Sequence, residues 1–548
     1  MTLRHILDTI TQAALDALFP QRRALRALRE KWGVPGAREA IAAPAYFTLT
    51  RGAAPDGVVD DQTWTDLECP RLFADLDATD TPLGSQYLYR QLRTWGVPPD
   101  AVAAHYASCR ALQRESALRE AIQLRLAPLD TLGAAQIAHF IFGPPPGIEG
   151  LHRWLPAWSL ACMAMLVAVV VLAWPVWIVP LAVGVNLGLI LRYSAPLFRD
   201  IEQLKGCHRM LRTADALAAL RQTGPELPQL ARLAAEAPLR RKVHRALGWI
   251  SILYSPWVQS IAVWLNLLFL VELSAHARTV SRFGRVRAEL ACIFDSVGAL
   301  DAAIAVASYL QRRPEHCEPV IADSALLDLV DATHPLVARP VPNSLRLDGR
   351  SALITGSNMA GKTTFIKLVG INLVIGRTLG FCFARAATLP DTRVMAVIRG
   401  EHSVESGKSH YFAEMTAIRS FIDRAQRGSC RLFLIDELFN GTNTIERLAA
   451  GRAVLERLGR HAQVLVTTHD VELQDDIAGP YDLYYFQEDP DVDGWFDYRL
   501  RAGRTDRRNA IQLMARNGFP DDLVTDALTY ARFYAGTRHS PACAEFPE

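Results

Sequence analysis

From Trp154 to Leu191 the chain runs for 38 residues without one charged side chain, between Arg153 and Arg192. A stretch of that length and composition must be buried, either in protein or in lipid. As one straight helix it would be about 57 Å long, nearly twice a hydrocarbon layer of roughly 30 Å. Two spans of about nineteen residues fit far better. Trp174-Pro175 supplies the break, because proline cannot continue a helix interior. Trp154, Trp158, Trp174 and Trp177 then fall near the ends of the spans, where interfacial aromatics collect. The expectation is a transmembrane helical hairpin over 151–193. The competing reading, a helical hairpin inside a large soluble core, calls for polar residues on some face. Basic residues flank the outer ends, with Arg192, Arg199 and Lys205 after the second span and none at the tip, which puts both ends on the cytoplasmic side.

A second apolar stretch, Ala246 to Val271, has 26 uncharged residues with basic clusters on either side. It is long enough for one tilted span and too short for two. One span would separate the flanking regions across a membrane. A buried or membrane-surface helix broken at Ser255-Pro256 is therefore expected, with a third span as the alternative.

The chemistry is concentrated further on. Leu353 to Asn372 reads as an apolar strand, a glycine loop and a helix, and Gly356, Gly361, Lys362 and Thr363 fit G-x-x-x-x-G-K-[ST]. The glycines let the backbone curl so that N–H groups of Ser357, Asn358, Met359, Ala360 and the residues to Thr364 can face phosphate oxygens at a helix N-terminus. Lys362 would reach the terminal phosphates of ATP, and the Thr363 hydroxyl would ligate Mg²⁺. The run Arg431 to Glu437 is a buried-strand pattern ending in two acids. There Asp436 would hold Mg²⁺ and Glu437 would orient or deprotonate the attacking water. Gln463 to His469 is another apolar strand with a polar end, placing His469 near the γ-phosphate; a helix N-cap with an incidental histidine is the plainer reading.

Together these pieces resemble the MutS ATPases, within the ABC-type class. The loop GSNMAGKTT is similar to the family's GPNMGGKST and keeps Asn358-Met359. His334-Pro335 and Pro342-Asn343 resemble its lead-in, Ser409 to Met415 its STF-x-x-EM element, and Asp436, Glu437, Gly441, Thr442 and Thr444 its DE-x-x-x-GT-x-T segment. Tyr498 to Gly503, Asn509-Ala510-Ile511 and Gly518-Phe519-Pro520 look like its closing elements. The resemblance implies a homodimer in which Ser409 acts in trans on the γ-phosphate bound by the partner subunit. His410 and Pro340 depart from the family pattern, Pro340 where an aromatic residue often packs on adenine. Upstream, Asp77, Thr79, Thr81 and Gly84 are similar to the D-x-T-x-T-x-x-G pattern that opens the family's lever domain, and Leu265 to Ala307 to its returning levers.

The expected organisation is a helical N-terminal and lever region (1–150), the hairpin (151–193), a returning helical lever region (194–325), an α/β ABC-type P-loop ATPase domain (326–535) and a disordered tail (536–548). The implied function is a membrane-anchored, MutS-like ATPase, with lipid as a partner and the ATPase domain on the cytoplasmic side of a bacterial inner membrane. A tethered DNA-binding MutS protein is the alternative. Net charge of only +2 provides no global field for nucleic acid, and the first 45 residues carry no Phe-x-Glu mismatch wedge. Arg22, Arg23, Arg26, Arg29 and Lys31 form one basic helix side, best read as solvated or headgroup-facing. A transporter-like machine would need intramembrane polar residues, for which Asn186 is the candidate. Nine cysteines without a CxxC pair suggest a reduced compartment and no zinc site.

Overall fold

The computed structural model describes residues 20–36, 42–52, 57–144, 154–222, 226–253, 264–357, 359–398, 410–439, 442–477, 479–487, 496–504, 511, 514–515 and 518–537. The chain packs as two compact units, one of Met1–Ala338 with Lys367–Ala396, the other of Arg339–Ile366 with Val397–Glu548. The strands in chain order are β1 (Val320–Ala322), β2 (Leu326–Ala332), β3 (Asn343–Asp348), β4 (Ser351–Thr355), β5 (Ala386–Pro390), β6 (Val394–Val397), β7 (Leu432–Asp436), β8 (Gln463–Thr468), β9 (Tyr481–Tyr485) and β10 (Arg501–Ala502).

The first unit is helical up to residue 319 among its described residues, and its centre is a pair of helices far apart in sequence. These are α1 (Pro82–Leu92) and the long α5 (Arg287–Arg312), whose residues are buried on nearly every face from Leu290 to Leu310. Asp301 of α5 explains the D-x-T-x-T-x-x-G pattern. Its carboxylate accepts the N–H of Asp80 at 2.9 Å, the N–H of Thr81 at 2.8 Å and the Thr81 hydroxyl at 2.6 Å. Thr81 caps α1 by accepting the Gly84 N–H, and a Cβ on Gly84 would stand 2.2 Å from the Asp301 carboxylate. Asp77 closes the motif, accepting the Thr79 and Ser85 hydroxyls at 2.6 Å each. Thr81 and Gly84 of the pattern thus serve the buried Asp301, one as a donor and one by making room, while Asp77 and Thr79 serve each other and the start of α1. Complete burial, helped by nearby Asp80, pushes the Asp301 carboxyl up to about 8, against the pull of the donors at Thr81.

The charge-free stretch forms two helices. The first, α2 (Leu155–Val171), ends with Ala173 in the left-handed region, ahead of Pro175; the second, α3 (Ile178–Ala218), begins beyond the turn. α3 does not stop at the expected boundary of 193 but continues through it for 41 residues in all. Its later part buries Leu204, Cys207, Met210, Leu211, Ala214 and Leu217, a three-to-four-residue spacing that keeps one stripe in the protein core. Nothing local terminates the helix because the apolar leg and this amphipathic leg are both helix-compatible. Among the described residues the helix that alone is long and apolar enough to cross a membrane is α5, and most of it is buried in this unit.

The second apolar stretch lies partly in α4 (Ala237–Leu253 in its helical extent) and partly in a helical turn at 264–269; Ser255 and Pro256 lie outside the described residues. Leu270, in the left-handed region, ends that turn. Its last carbonyls, Leu267 and Leu268, accept the Asn186 amide at 2.9 and 3.0 Å, while the Asn186 oxygen accepts the Trp158 indole N–H at 2.8 Å. Leu155, Leu270 and Leu273 form a small core beside it with Trp158, Leu189 and Ile190. The one polar side chain in the middle of the second leg is therefore fully buried and satisfied.

A three-stranded part of this unit follows, with β5 between β1 (parallel) and β2 (antiparallel). Residues 367–396 belong here because the later turns of α6 (Lys362–Thr378) are apolar on every side, with Leu368, Val369, Ile371, Val374 and Ile375 all buried.

In the second unit the order β10-β9-β4-β8-β7 builds a sheet that is parallel from β9 to β7, with β10 antiparallel at its edge. β4, β7 and β8 are buried along their whole length. They are continuous apolar runs because both faces of such a sheet are covered. α7 (His410–Gln426) and α8 (Thr444–Gly459) complete the elements around the site. Of the expected tail, 536–548, the first two residues close a helix (Asp521–Thr537), and 538 onward lies outside the described residues.

Candidate functional site

The carboxyl ends of β4, β7 and β8 meet, which is where an open parallel sheet places its chemistry. After β4 the backbone turns sharply through Gly356 (φ 146°) and Gly361 (φ 98°). Neither position tolerates a side chain: a Cβ on Gly356 would sit 2.8 Å from the Phe486 carbonyl oxygen, and one on Gly361 would press on the Tyr498 ring. Tyr498 is held there by Asn343, whose amide donates to the Tyr498 carbonyl at 2.9 Å and whose oxygen accepts the Leu500 N–H at 2.7 Å. Asn343 of the lead-in is thus a brace for the loop. His334, in the first unit, is a neutral core histidine, pushed down to about 4 by burial and accepting the Leu336 N–H.

Lys362 is almost fully buried, and its ammonium donates to the carbonyls of Gly356 at 2.6 Å and Ser357 at 2.9 Å. The loop is thereby wrapped around its own lysine. The Ser357 hydroxyl is buried with no hydrogen-bond partner among the described residues, Ala360 is buried, and Met359 and Thr364 face outward. Asn358 lies outside the described residues.

Thr363 Oγ1 donates to Asp436 Oδ2 at 2.7 Å, and Thr467 at the end of β8 donates to the other carboxylate oxygen. A hydroxyl and a carboxylate at that separation are the hard-oxygen pair that suits Mg²⁺, so the residues present fit the ion. Glu437 follows in the left-handed region (φ 56°), as does Phe439 (φ 54°). Left-handed backbone at two non-glycine residues just past a strand is strained, and such strain gathers at functional sites. Part of what holds it is visible: Phe439 N–H donates to Glu414 on α7 at 2.6 Å, and Glu437 N–H to the Thr467 carbonyl at 3.0 Å. Glu437 Oε1 stands 4.0 Å from Lys362 Nζ and 3.5 Å from His469 Nδ1. The Glu437 carboxylate holds the His469 imidazole above its ordinary range, Asp470 adds to this, and burial and Arg447 oppose it.

The structure therefore brings together Gly356, Gly361, Lys362, Thr363, Asp436, Glu437 and His469. Ser409, expected to act in trans, and Gly441 lie outside the described residues, while Glu414, five residues after Ser409, is tied to the Glu437 turn. Sequence reasoning stopped at His469 and missed Asp470 and Arg447, which pair through two bonds of 2.7 and 2.8 Å. The available signal was a basic residue in the first turns of a helix, where the dipole disfavours it.

A phosphate-cradling loop before a helix, with a strand-end acid pair and a parallel sheet behind it, defines a P-loop nucleotide site. Residues 352–533 match the family model MutS domain V. The chain is 27% identical over 289 residues to "DNA mismatch repair protein MutS 2" of Haloarcula marismortui, covering 46% of this chain and 30% of that protein. It is 32% identical over 241 residues to "Endonuclease MutS2" of Clostridium novyi, covering 42% and 30% respectively. The chain spans less than a third of the length of these relatives, and it is a MutS-related protein through this C-terminal region.

Proposed function

We propose that this chain is a homodimeric, membrane-anchored ATPase in which ATP binding and hydrolysis move helices of the first unit and the hairpin joined to them. The convergence of Lys362, Thr363, Asp436, Glu437 and His469 carries the ATPase reading. Lys362 and the loop N–H groups bind the terminal phosphates, and Thr363 with Asp436 would hold Mg²⁺, which when bound neutralises phosphate charge. Glu437, fixed by the strained turn, accepts a proton from or orients water, and His469 steadies that carboxylate.

The dimer is supported by exposed apolar side chains on elements around the site: Met359 in the loop, Phe412 and Met415 at the start of α7, and Ile445 at the start of α8. Membrane anchoring is supported by the surface of α2, the turn and the apolar leg of α3. Fourteen large apolar residues from Trp154 to Leu191, among them Val167, Val170, Val171, Trp177, Leu181 and Leu191, are exposed. At ~1.5–3 kcal/mol for each such side chain fully removed from water, lipid burial is worth on the order of tens of kcal/mol. α2 alone has 17 residues, ~25 Å of helix, so the uncharged turn must share the crossing.

The names of the relatives favour a second reading, a tethered DNA-binding MutS protein. One experiment separates the two: membrane fractionation through alkaline washing, combined with ATPase assay with and without matched and mismatched duplex. Retention in the membrane with DNA-independent hydrolysis supports the first reading. Mismatch-selective binding by the membrane-retained protein would establish the second, and a soluble full-length protein would overturn the membrane anchoring in both.

A further inference from the structure

Arg447 and Asp470 form an ion pair that stability alone does not explain. Both side chains are largely buried, 13% and 7% exposed. Taking two charges out of water costs several kcal/mol each, and a packed apolar pair at such a site is often as stable or more so. The position is also costly, because Arg447 lies in the first turns of α8, where the positive end of the helix dipole opposes it. The surrounding chain nevertheless fixes the pair firmly. Asn443 caps α8 by accepting the Glu446 N–H, the Thr442 hydroxyl donates to Glu446, and the Asp470 N–H donates to the Thr468 hydroxyl.

The pair abuts His469. Asp470 Oδ1 accepts Arg447 Nη2 at 2.7 Å and lies 3.8 Å from His469 Nε2, on the opposite ring nitrogen from the one facing Glu437. The imidazole therefore stands between two carboxylates, and Arg447 neutralises one of them. Lys362 faces the Glu437 side, and Glu472 adds negative charge near Arg447.

We propose that Arg447 and Asp470 are positioning residues that orient the His469 imidazole and divide its attraction between Asp470 and Glu437, so that Glu437 keeps the geometry needed to handle water. This rests on the ATPase reading above. With Arg447 in place, Asp470 is a spent charge that supports the ring from behind. Without it, Asp470 becomes a full competitor and draws the imidazolium from Glu437.

The test uses the full-length protein in detergent or bilayer and two readouts: steady-state ATP hydrolysis, and titration of the His469 ring followed by NMR of histidine-labelled protein, assigned with His469→Gln. Arg447→Gln should lower kcat about 10- to 100-fold with little change in KM for ATP, and should move the His469 midpoint upward; Asp470→Asn should move it downward. Arg447→Lys keeps the charge but loses the fork, and should fall between wild type and Arg447→Gln. Arg447→Asp combined with Asp470→Arg restores an ion pair but reverses its direction. It should recover the melting temperature lost in the single variants while kcat stays low. Wild-type kcat in Arg447→Gln, or full recovery of kcat in the exchanged pair, would overturn the proposal, leaving the pair a structural one. An unmoved His469 midpoint in Arg447→Gln would do the same. A wild type that binds ATP but never hydrolyses it removes the ATPase reading, while the NMR arm still decides whether the pair controls the ring.

Discussion

Glu437→Gln is the sharpest perturbation of the site, because it removes one charge at almost constant shape. In the folded protein that carboxylate attracts Lys362 across 4.0 Å and His469 across 3.5 Å. For unit charges at an effective dielectric constant of 20, such a separation corresponds to about 4 kcal/mol of gross attraction, most of it offset by solvation in the free site. The neutral amide releases Lys362 toward bound phosphate, removes a negative charge from its vicinity, and lets the His469 imidazole fall back toward its ordinary range. Nucleotide affinity should therefore hold or rise, by up to about tenfold if ~1.4 kcal/mol of that competition was felt by the ligand. Hydrolysis should fall by about 10²- to 10⁴-fold, the range expected when a positioned general base is lost. Equilibrium binding of a labelled ATP and phosphate release in single turnovers measure the two effects separately. Hydrolysis at the wild-type rate would refute the role given to Glu437. Loss of binding in parallel with hydrolysis would refute the geometry, showing that the carboxylate holds the loop together rather than serving chemistry.

Four further outcomes follow from the rest of the molecule. Lys362→Ala and Ser409→Ala homodimers should both be inactive, and mixing them should restore roughly one working site in each mixed pair; the absence of any complementation in a titrated mixture would remove the in-trans role of Ser409. Because the folded Asp301 carboxyl lies above its ordinary range, its protonated form stabilises the first unit, so chemical-denaturation stability should decline as pH rises from about 4 toward 8 and level off beyond. Gly84→Ala should cost about 1–3 kcal/mol or more by forcing a methyl against that carboxylate, and an unchanged melting temperature would contradict the packing. Asn186→Leu should leave membrane association intact but loosen the joint between the hairpin and residues 264–270, seen as faster hydrogen exchange at Leu270 and beyond; unchanged exchange would show that its bonds to the Leu267 and Leu268 carbonyls hold nothing.

What the sequence determined by itself was local. The phosphate loop was legible because two glycines, a lysine and a threonine at fixed spacing act through backbone conformation a few residues long, and the strand ends at Asp436 and His469 because each closes an uninterrupted apolar run. The turn between α2 and α3 was legible because Pro175 interrupts a charge-free run too long for a single span. The same local reading could not see that α3 passes residue 193 unbroken, since only packing of Leu204 to Leu217 shows which face continues into the core. Nor could it see why the D-x-T-x-T-x-x-G pattern needs Gly84, because Asp301, which occupies the space of the missing side chain, lies some two hundred residues away. Asn186 looked like a polar residue awaiting a substrate until the fold supplied the carbonyls of Leu267 and Leu268. Arg447 carried no signal of its partner in the sequence, and only the sheet brings the end of β8 against it. In each case residue type and spacing fixed what a side chain could do, while the partner was chosen by which strands and helices became neighbours, and that is a property of the assembled chain.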